Sequence, residues 1–229
     1  MKSIKVIGIG GIGTNLLFLL CRHLNSQGES RLFLVDGDEF ESRNAIRQDF
    51  LKIGNKAKVK AEELANKFED VSFRAIPDFV TEENIDSIVE EGDIVFMAVD
   101  NHATRKLISD HCQKLSNITL ISGGNELTDG NVQTYIRCDG EDMTLPLTSF
   151  HPEIKNPADK SPGEMSCEER AKQPGSRQIL VANAGAAWLM YVAFWLYEEG
   201  EVDRIGEFYF DIMEETKVQN RQRKGKVHG

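Results

Sequence analysis

The chain has 229 residues, 40% hydrophobic and 28% charged, with 37 acidic against 27 basic side chains and a net charge of −10. Those values exclude a largely disordered chain and supply enough apolar material for one α/β domain. The acidic field repels phosphate backbones and argues against general nucleic-acid binding. The four scattered cysteines form no CxxC, which excludes a disulfide framework or a four-thiolate zinc site and suits a cytoplasmic, reducing setting.

The chain opens with Met1-Lys2-Ser3 and lacks the layout of a signal peptide. Ser3 to Gly8 reads as a buried strand and Ile12 to Leu24 as a helix dense in leucine. Arg31 to Val35 is the next strand, ending at Asp36. A helix from Ala57 to Phe68, a strand from Ser72 to Ile76, a helix from Glu82 to Glu90 and a strand from Asp93 to Val99 come next. A helix from Ala103 to Leu115 and strands at Ile118 to Ser122 and Val132 to Arg137 complete the series. This βαβ alternation predicts a Rossmann-like, doubly wound, mainly parallel sheet with helices on both faces.

From Asp139 to Arg177 the chain is rich in proline and polar residues and reads as a lid or crossover loop inside one domain spanning 1–229. Ile179 to Tyr197 carries no charge and approaches the length of a membrane span. Its small residues and Asn183 suit a buried or dimer-interface helix instead, because Glu207 to Ile212 then returns as an added C-terminal strand. The basic stretch from Lys217 to Lys226, within a tail from 214 to 229, reads as solvated and frayed.

The first strand ends in Gly8-Ile9-Gly10-Gly11-Ile12-Gly13, a GxGxxG match at a turn from strand to helix, where missing Cβ atoms let a ligand approach the backbone. Asp36, ending the second strand, is placed to accept hydrogen bonds from ribose hydroxyls. These features alone fit NAD as well as ATP.

The residues beyond Asp36 carry a more specific signal. The stretch from Asp36 through Asp38, Asn44, Arg47 and Gln48 resembles the D-x-D and N-x-x-R-Q pattern of the ubiquitin-activating E1-like family, which includes the ThiF, MoeB and HesA type of adenylyltransferase. Arg43 and Ile46 depart from that pattern. Gly54-Asn55-Lys56-Ala57-Lys58-Val59 is similar to the family's glycine and lysine stretch, with Lys58 the first choice and Lys56 the alternative as phosphate ligand. Asp100-Asn101-His102-Ala103-Thr104-Arg105 is similar to its DN-x-x-x-R signature.

The resemblance implies an ATP-dependent adenylyltransferase that activates the C-terminal carboxylate of a ubiquitin-like or sulfur-carrier protein or peptide. Joining two anions demands cations at the phosphates and a metal ion to screen charge. Arg47, Lys58, Asn44 and Gln48 would then grip the triphosphate, with Gly8, Gly10, Gly11 and Gly13 at the turn. Asp36 would hold the ribose, Asp38 and Asn101 would join the nucleotide-binding set, and Asp100 would support Mg²⁺ and the reacting groups.

Some members of the family transfer the acyl group to a cysteine, and Cys167 is the candidate here. Ser166 and Glu169 resemble a capping box around it, although Glu168 and Glu169 oppose thiolate formation. Cys21, Cys112 and Cys138 read as core residues. The chain starts at the first strand, without the leading helix of some dimeric relatives, yet its uncharged helix predicts a homodimer. The competing readings are an inactive E1-like binding subunit and, more weakly, a NAD-dependent oxidoreductase, for which the five scattered histidines offer no evident acid or base, His102 alone lying near the sheet's carboxyl edge.

Overall fold

The computed structural model describes residues 2–28, 30–42, 45–46, 48–165, 179–214 and 219–222. Strand β1 (Ser3–Ile7) leads through the glycine turn into helix α1 (Gly11–Gln27), and β2 (Ser30–Val35) pairs beside β1. The short β3 (Glu39–Phe40) and β4 (Gly54–Asn55) form a ribbon ahead of α2 (Lys56–Ala65). Then come β5 (Val71–Ile76), α3 (Ile85–Ile88), β6 (Ile94–Met97), α4 (His102–Cys112), β7 (Ile118–Asn125) and β8 (Asp129–Cys138). The last elements are β9 (Glu141–Asp142), α5 (Pro152–Lys155), α6 (Leu180–Glu198), β10 (Gly206–Asp211) and β11 (Gln219–Gln222).

The main sheet runs β11-β10-β8-β7-β6-β1-β2-β5, with β9 on β8. From β5 to β7 every pairing is parallel, and from β7 to β11 every pairing is antiparallel. The switch has a simple cause: only residues 126–128 separate β7 from β8, which allows a hairpin but not a crossover. The expected doubly wound sheet is present, joined to an antiparallel half.

Residues alternate between two cores. Ile4, Val6, Leu32, Leu34, Phe96, Ile121, Val132 and Phe208 face α1, α2 and α6. Ile7, Val35, Val95, Met97, Leu120 and Tyr135 face α3, α4 and α5. Helix α6 is long and apolar enough to cross a membrane by length and composition, yet 44% of its most apolar window is buried in the fold. Its small residues admit close contacts: a Cβ on Gly123 would fall 2.3 Å from Met190 Sδ, and the Phe96 and Phe194 rings meet edge to face.

Three expectations change. The helix expected from Glu82 to Glu90 contracts to one turn, because Asn84 Oδ1 accepts from the Thr81 N–H while its Nδ2 donates to Phe79 O, and this fixes a tight turn before Ile85. The segment read as a frayed tail contains β11, whose backbone extends the sheet beyond β10. Cys138 is exposed at the end of β8, not packed in a core, while Cys21 and Cys112 are buried. The crossover segment, as far as residue 165, is built of β9, α5 and two 3-10 turns at Leu147–Ser149 and Pro162–Glu164.

Candidate active site

The chain moves outward from β1 to β2 and β5, then resumes on the other side of β1 with β6 and β7. At such a switch point the loops leave in opposite directions and open a crevice at the carboxyl ends of the strands. The glycine turn lines it. Gly8 has φ +92°, and a Cβ there would lie 2.7 Å from Ala98 O; a Cβ on Gly13 would lie 2.1 Å from Gly8 O. A Cβ on Gly10 would meet its nearest neighbour, Gln48 Nε2, only at 3.9 Å, so this glycine borders open space. Gln48 is buried, and its Oε1 has no hydrogen-bond partner among the described residues.

Asp36 is locked beneath the turn. Its Oδ2 accepts from the Ile9 N–H at 2.6 Å and its Oδ1 from the Asp38 N–H at 2.8 Å. Each oxygen keeps a lone pair for a further donor. Burial pushes its carboxyl pKa up, against the pull of Lys56. Asn55 ties this turn to α2: its Nδ2 donates to Asp36 O and Asp38 O, and its Oδ1 caps the helix by accepting from the Lys58 N–H at 3.0 Å.

Lys56, 7% exposed, sends Nζ to within 3.0 Å of Asp38 Oδ2. Burial alone would lower its pKa, but Asp36, Asp38 and Asp100 outweigh burial and raise it. Lys58 is exposed on the same helix. The lysine gathered among the carboxylates is therefore Lys56.

Across the crevice, Asp100 is exposed after β6. Asn101 is buried and caps α4, its Oδ1 accepting from the Thr104 N–H at 2.8 Å. Arg105, also buried, donates to Ser122 Oγ, Val99 O and Gly123 O at 2.6–2.8 Å and so binds the ends of β6 and β7 together. Burial lowers its pKa to about 10, opposed by Asp100 and Asp159. The DN-x-x-x-R run thus divides into a free carboxylate, a cap and a strut.

Asn44, Arg47 and Cys167 lie outside the described residues. Sequence reasoning quoted Asn55 only as part of the glycine and lysine stretch and gave it no role, although an N-cap residue type before a helix was the signal. It also gave no site role to Asn183 of α6, a lone polar residue in an apolar run. Asn183 is fully buried, with its amide where a Gly11 Cβ would sit and both polar atoms without a partner among the described residues.

The ThiF family model matches residues 1–181. The chain belongs to the ThiF family. Among curated relatives, this ThiF-family chain is 33% identical over 138 residues to the Zea mays adenylyltransferase and sulfurtransferase MOCS3-1, covering 58% of this chain and 28% of that one. It is 30% identical over 115 residues to protein HesA of Nostoc, covering 48% and 44%, and 29% identical over 139 residues to the SAMP-activating enzyme E1 of Haloferax volcanii, covering 59% and 50%. The chain therefore spans half or less of the length of these relatives. The crystal structure of E. coli MccB with ATP superposes at a TM-score of 0.74 with 18% identity, over 99% of this chain and 65% of that one, and shows the shared fold. Membership of this family removes the support for the NAD oxidoreductase reading.

Proposed function

We propose that this ThiF-family chain is a single ATP-dependent adenylating domain, which joins the C-terminal carboxylate of a ubiquitin-like protein, sulfur-carrier protein or peptide to AMP and releases pyrophosphate. The observation that carries the reading is the convergence of Asp36, Lys56 and Asp100 around the glycine turn. Asp36 is oriented by two backbone amides and offers its remaining lone pairs to ribose hydroxyls. The first turn of α1, with glycine at its N-cap and no side-chain cap, faces phosphate oxygens with open N–H groups.

Lys56 supplies the buried cation, and Arg47, Asn44, Gln48 and Lys58 complete the grip on the triphosphate. The carboxylate oxygen attacks the α-phosphorus in line with the departing pyrophosphate, and these cations stabilise the charge that builds on the phosphoryl oxygens. No three His, Cys, Asp or Glu side chains among the described residues form a metal cluster. Asp100 with Asn101 beside it fits Mg²⁺ in the way this ion is usually held, by one or two carboxylates plus substrate phosphates. A Mg²⁺ ion held by Asp100 would screen the repulsion between carboxylate and phosphate. Cys167 is the sulfur we assign to a following thioester step, and the cytosol, whose reducing poise matches the unpaired Cys21, Cys112 and Cys138, is the compartment.

The test is ATP–pyrophosphate exchange against a panel of carrier proteins and peptides, read beside thermal melts. ATP with Mg²⁺ at about 100 times its Kd stabilises the fold by roughly 2.7 kcal/mol, and NAD does not. Cys167→Ser is expected to keep exchange and lose a thiol-sensitive adduct. Stabilisation by NAD alone, or no exchange with any carrier, would overturn the reading.

The same chain is proposed to act as a C2 homodimer. Trp188 and Trp195 on α6 and Phe18 on α1 are exposed apolar side chains, and Phe18 and Leu180 also line a cleft of about 430 Å³ that is bordered by the polar Thr14, Asn15, Gln48 and Asp49. Sedimentation at micromolar concentration is expected to give the mass of two chains, and a single-chain mass would refute the dimer.

A further inference from the structure

A second ionic cluster lies buried away from Asp36, where the segment after β9 meets the antiparallel half of the sheet. Glu207 is wholly buried on β10, in register with Gln133 of β8, which is in register with Ser122 of β7. His151, 9% exposed, bonds through Nε2 to Glu207 Oε1, and its Nδ1 lies 2.7 Å from Glu153 Oε1. Each ring nitrogen thus faces a carboxylate. A neutral imidazole carries one N–H and can donate to one of them; the imidazolium donates to both.

From His151 the chain runs as a strap along the carboxyl edge of the sheet. Ile154 enters the core cluster that also contains Ile108 of α4. Asp159 accepts from the His102 and Ala103 N–H groups at 2.8 and 2.9 Å, two and three residues past Asp100. Gly163 then packs on Thr81 and Phe79, and the Phe79 ring lies against Gly37 after β2. The strap therefore reaches from β10 to the loops after β5 and β2, past Asp100 on the way.

We propose that His151 is the positioning residue that fastens this strap over the candidate site, and that its proton closes the fastening. The location of the site rests on the adenylation reading; the fastening does not. Around the imidazole, β10 contributes Glu207, α5 contributes Glu153, and β8 contributes the neutral Asn131, whose Nδ2 is 3.5 Å from Glu207 Oε1. From α4, His102 acts on Glu153, Arg105 is committed to Ser122, Val99 and Gly123, and Lys106 pairs with Asp110. Among the described side chains, Glu207 and Glu153 are the groups bonded to the ring.

Burial alone would lower the imidazole pKa, but Glu207 and Glu153 outweigh it and hold His151 above its ordinary 6.5. A raised folded-state pKa fixes the sign. The double fastening is complete below about pH 6.5 and is lost as pH rises through the folded value, where the neutral ring can donate to only one of its two carboxylates.

Hydrogen exchange on the full chain without nucleotide tests this, following residues 151–165 from pH 6 to 9 after correction for intrinsic rates. Protection of the strap is expected to fall with rising pH by up to about tenfold per pH unit, while β1 and β6 stay protected. His151→Gln should give low, pH-independent strap protection. Glu153→Gln, an exposed change that removes one carboxylate, should move the midpoint to lower pH and serves as the decisive variant if His151→Gln unfolds. A pH-independent strap in the parent protein, an unmoved midpoint in Glu153→Gln, or a parental profile in folded His151→Gln would overturn the proposal. Because the readout uses no ATP, it stands or falls separately from adenylation.

Discussion

Replacing Asp100 with alanine is expected to lower ATP–pyrophosphate exchange about 100-fold or more, the scale of losing one electrostatic contact to a transferring group, or roughly 2.7 kcal/mol of barrier. The melting temperature should hardly move. Asp100 is exposed at the end of β6, and the edge around it is held by Asn101 and Arg105. The loss should appear in kcat and should not be restored by excess ATP, because the charge is needed most where the new bond forms. Near-parental exchange in a folded Asp100→Ala protein would place the chemistry elsewhere.

Arg105→Ala is expected to act on the fold instead. The guanidinium is buried and spans three acceptors on two strands, so its removal strands Val99 O, Gly123 O and Ser122 Oγ and opens a hole behind β7. The cost is on the order of 3–5 kcal/mol, a large part of an ordinary domain's stability, read as a lower denaturant midpoint. Arg105→Lys should recover only a fraction, because one ammonium cannot reproduce the planar fork. A midpoint close to the parent's in Arg105→Ala would show that the two strand ends hold without the strut.

These variants separate two parts of one motif that sequence alone ran together. Strands β1, β2, β5, β6 and β7 were legible because buried parallel strands are continuous apolar runs between helical patterns, and the D-x-D end of β2 is placed by that frame. The choice between Lys56 and Lys58 was not legible. It depends on where α2 begins, and the side chain of Asn55 fixes that by capping the Lys58 N–H. Strand β11 escaped because its sequence, Gln219 to Gln222, carries no apolar alternation; it exists through backbone pairing with β10. His151 and Glu207 looked unremarkable at 56 residues apart, since nothing local in either stretch announces that β10 will bring them together.

The packing of α6 bears on how the protein is made. Asn183 sits against Gly11 where the glycine turn enters α1, and Met190 and Phe194 cover Gly123 and Phe96 in the strands of the parallel half. Residues that the ribosome adds in the last quarter of the chain therefore finish a turn begun within the first dozen. Until α6 is in place, Ile121, Val132 and Phe96 lack the α6 side chains with which they share a core. The family match ends at residue 181, the second residue of this helix, so the region that identifies the chain by descent is shorter than the region that must be synthesised before the crevice can take its final shape.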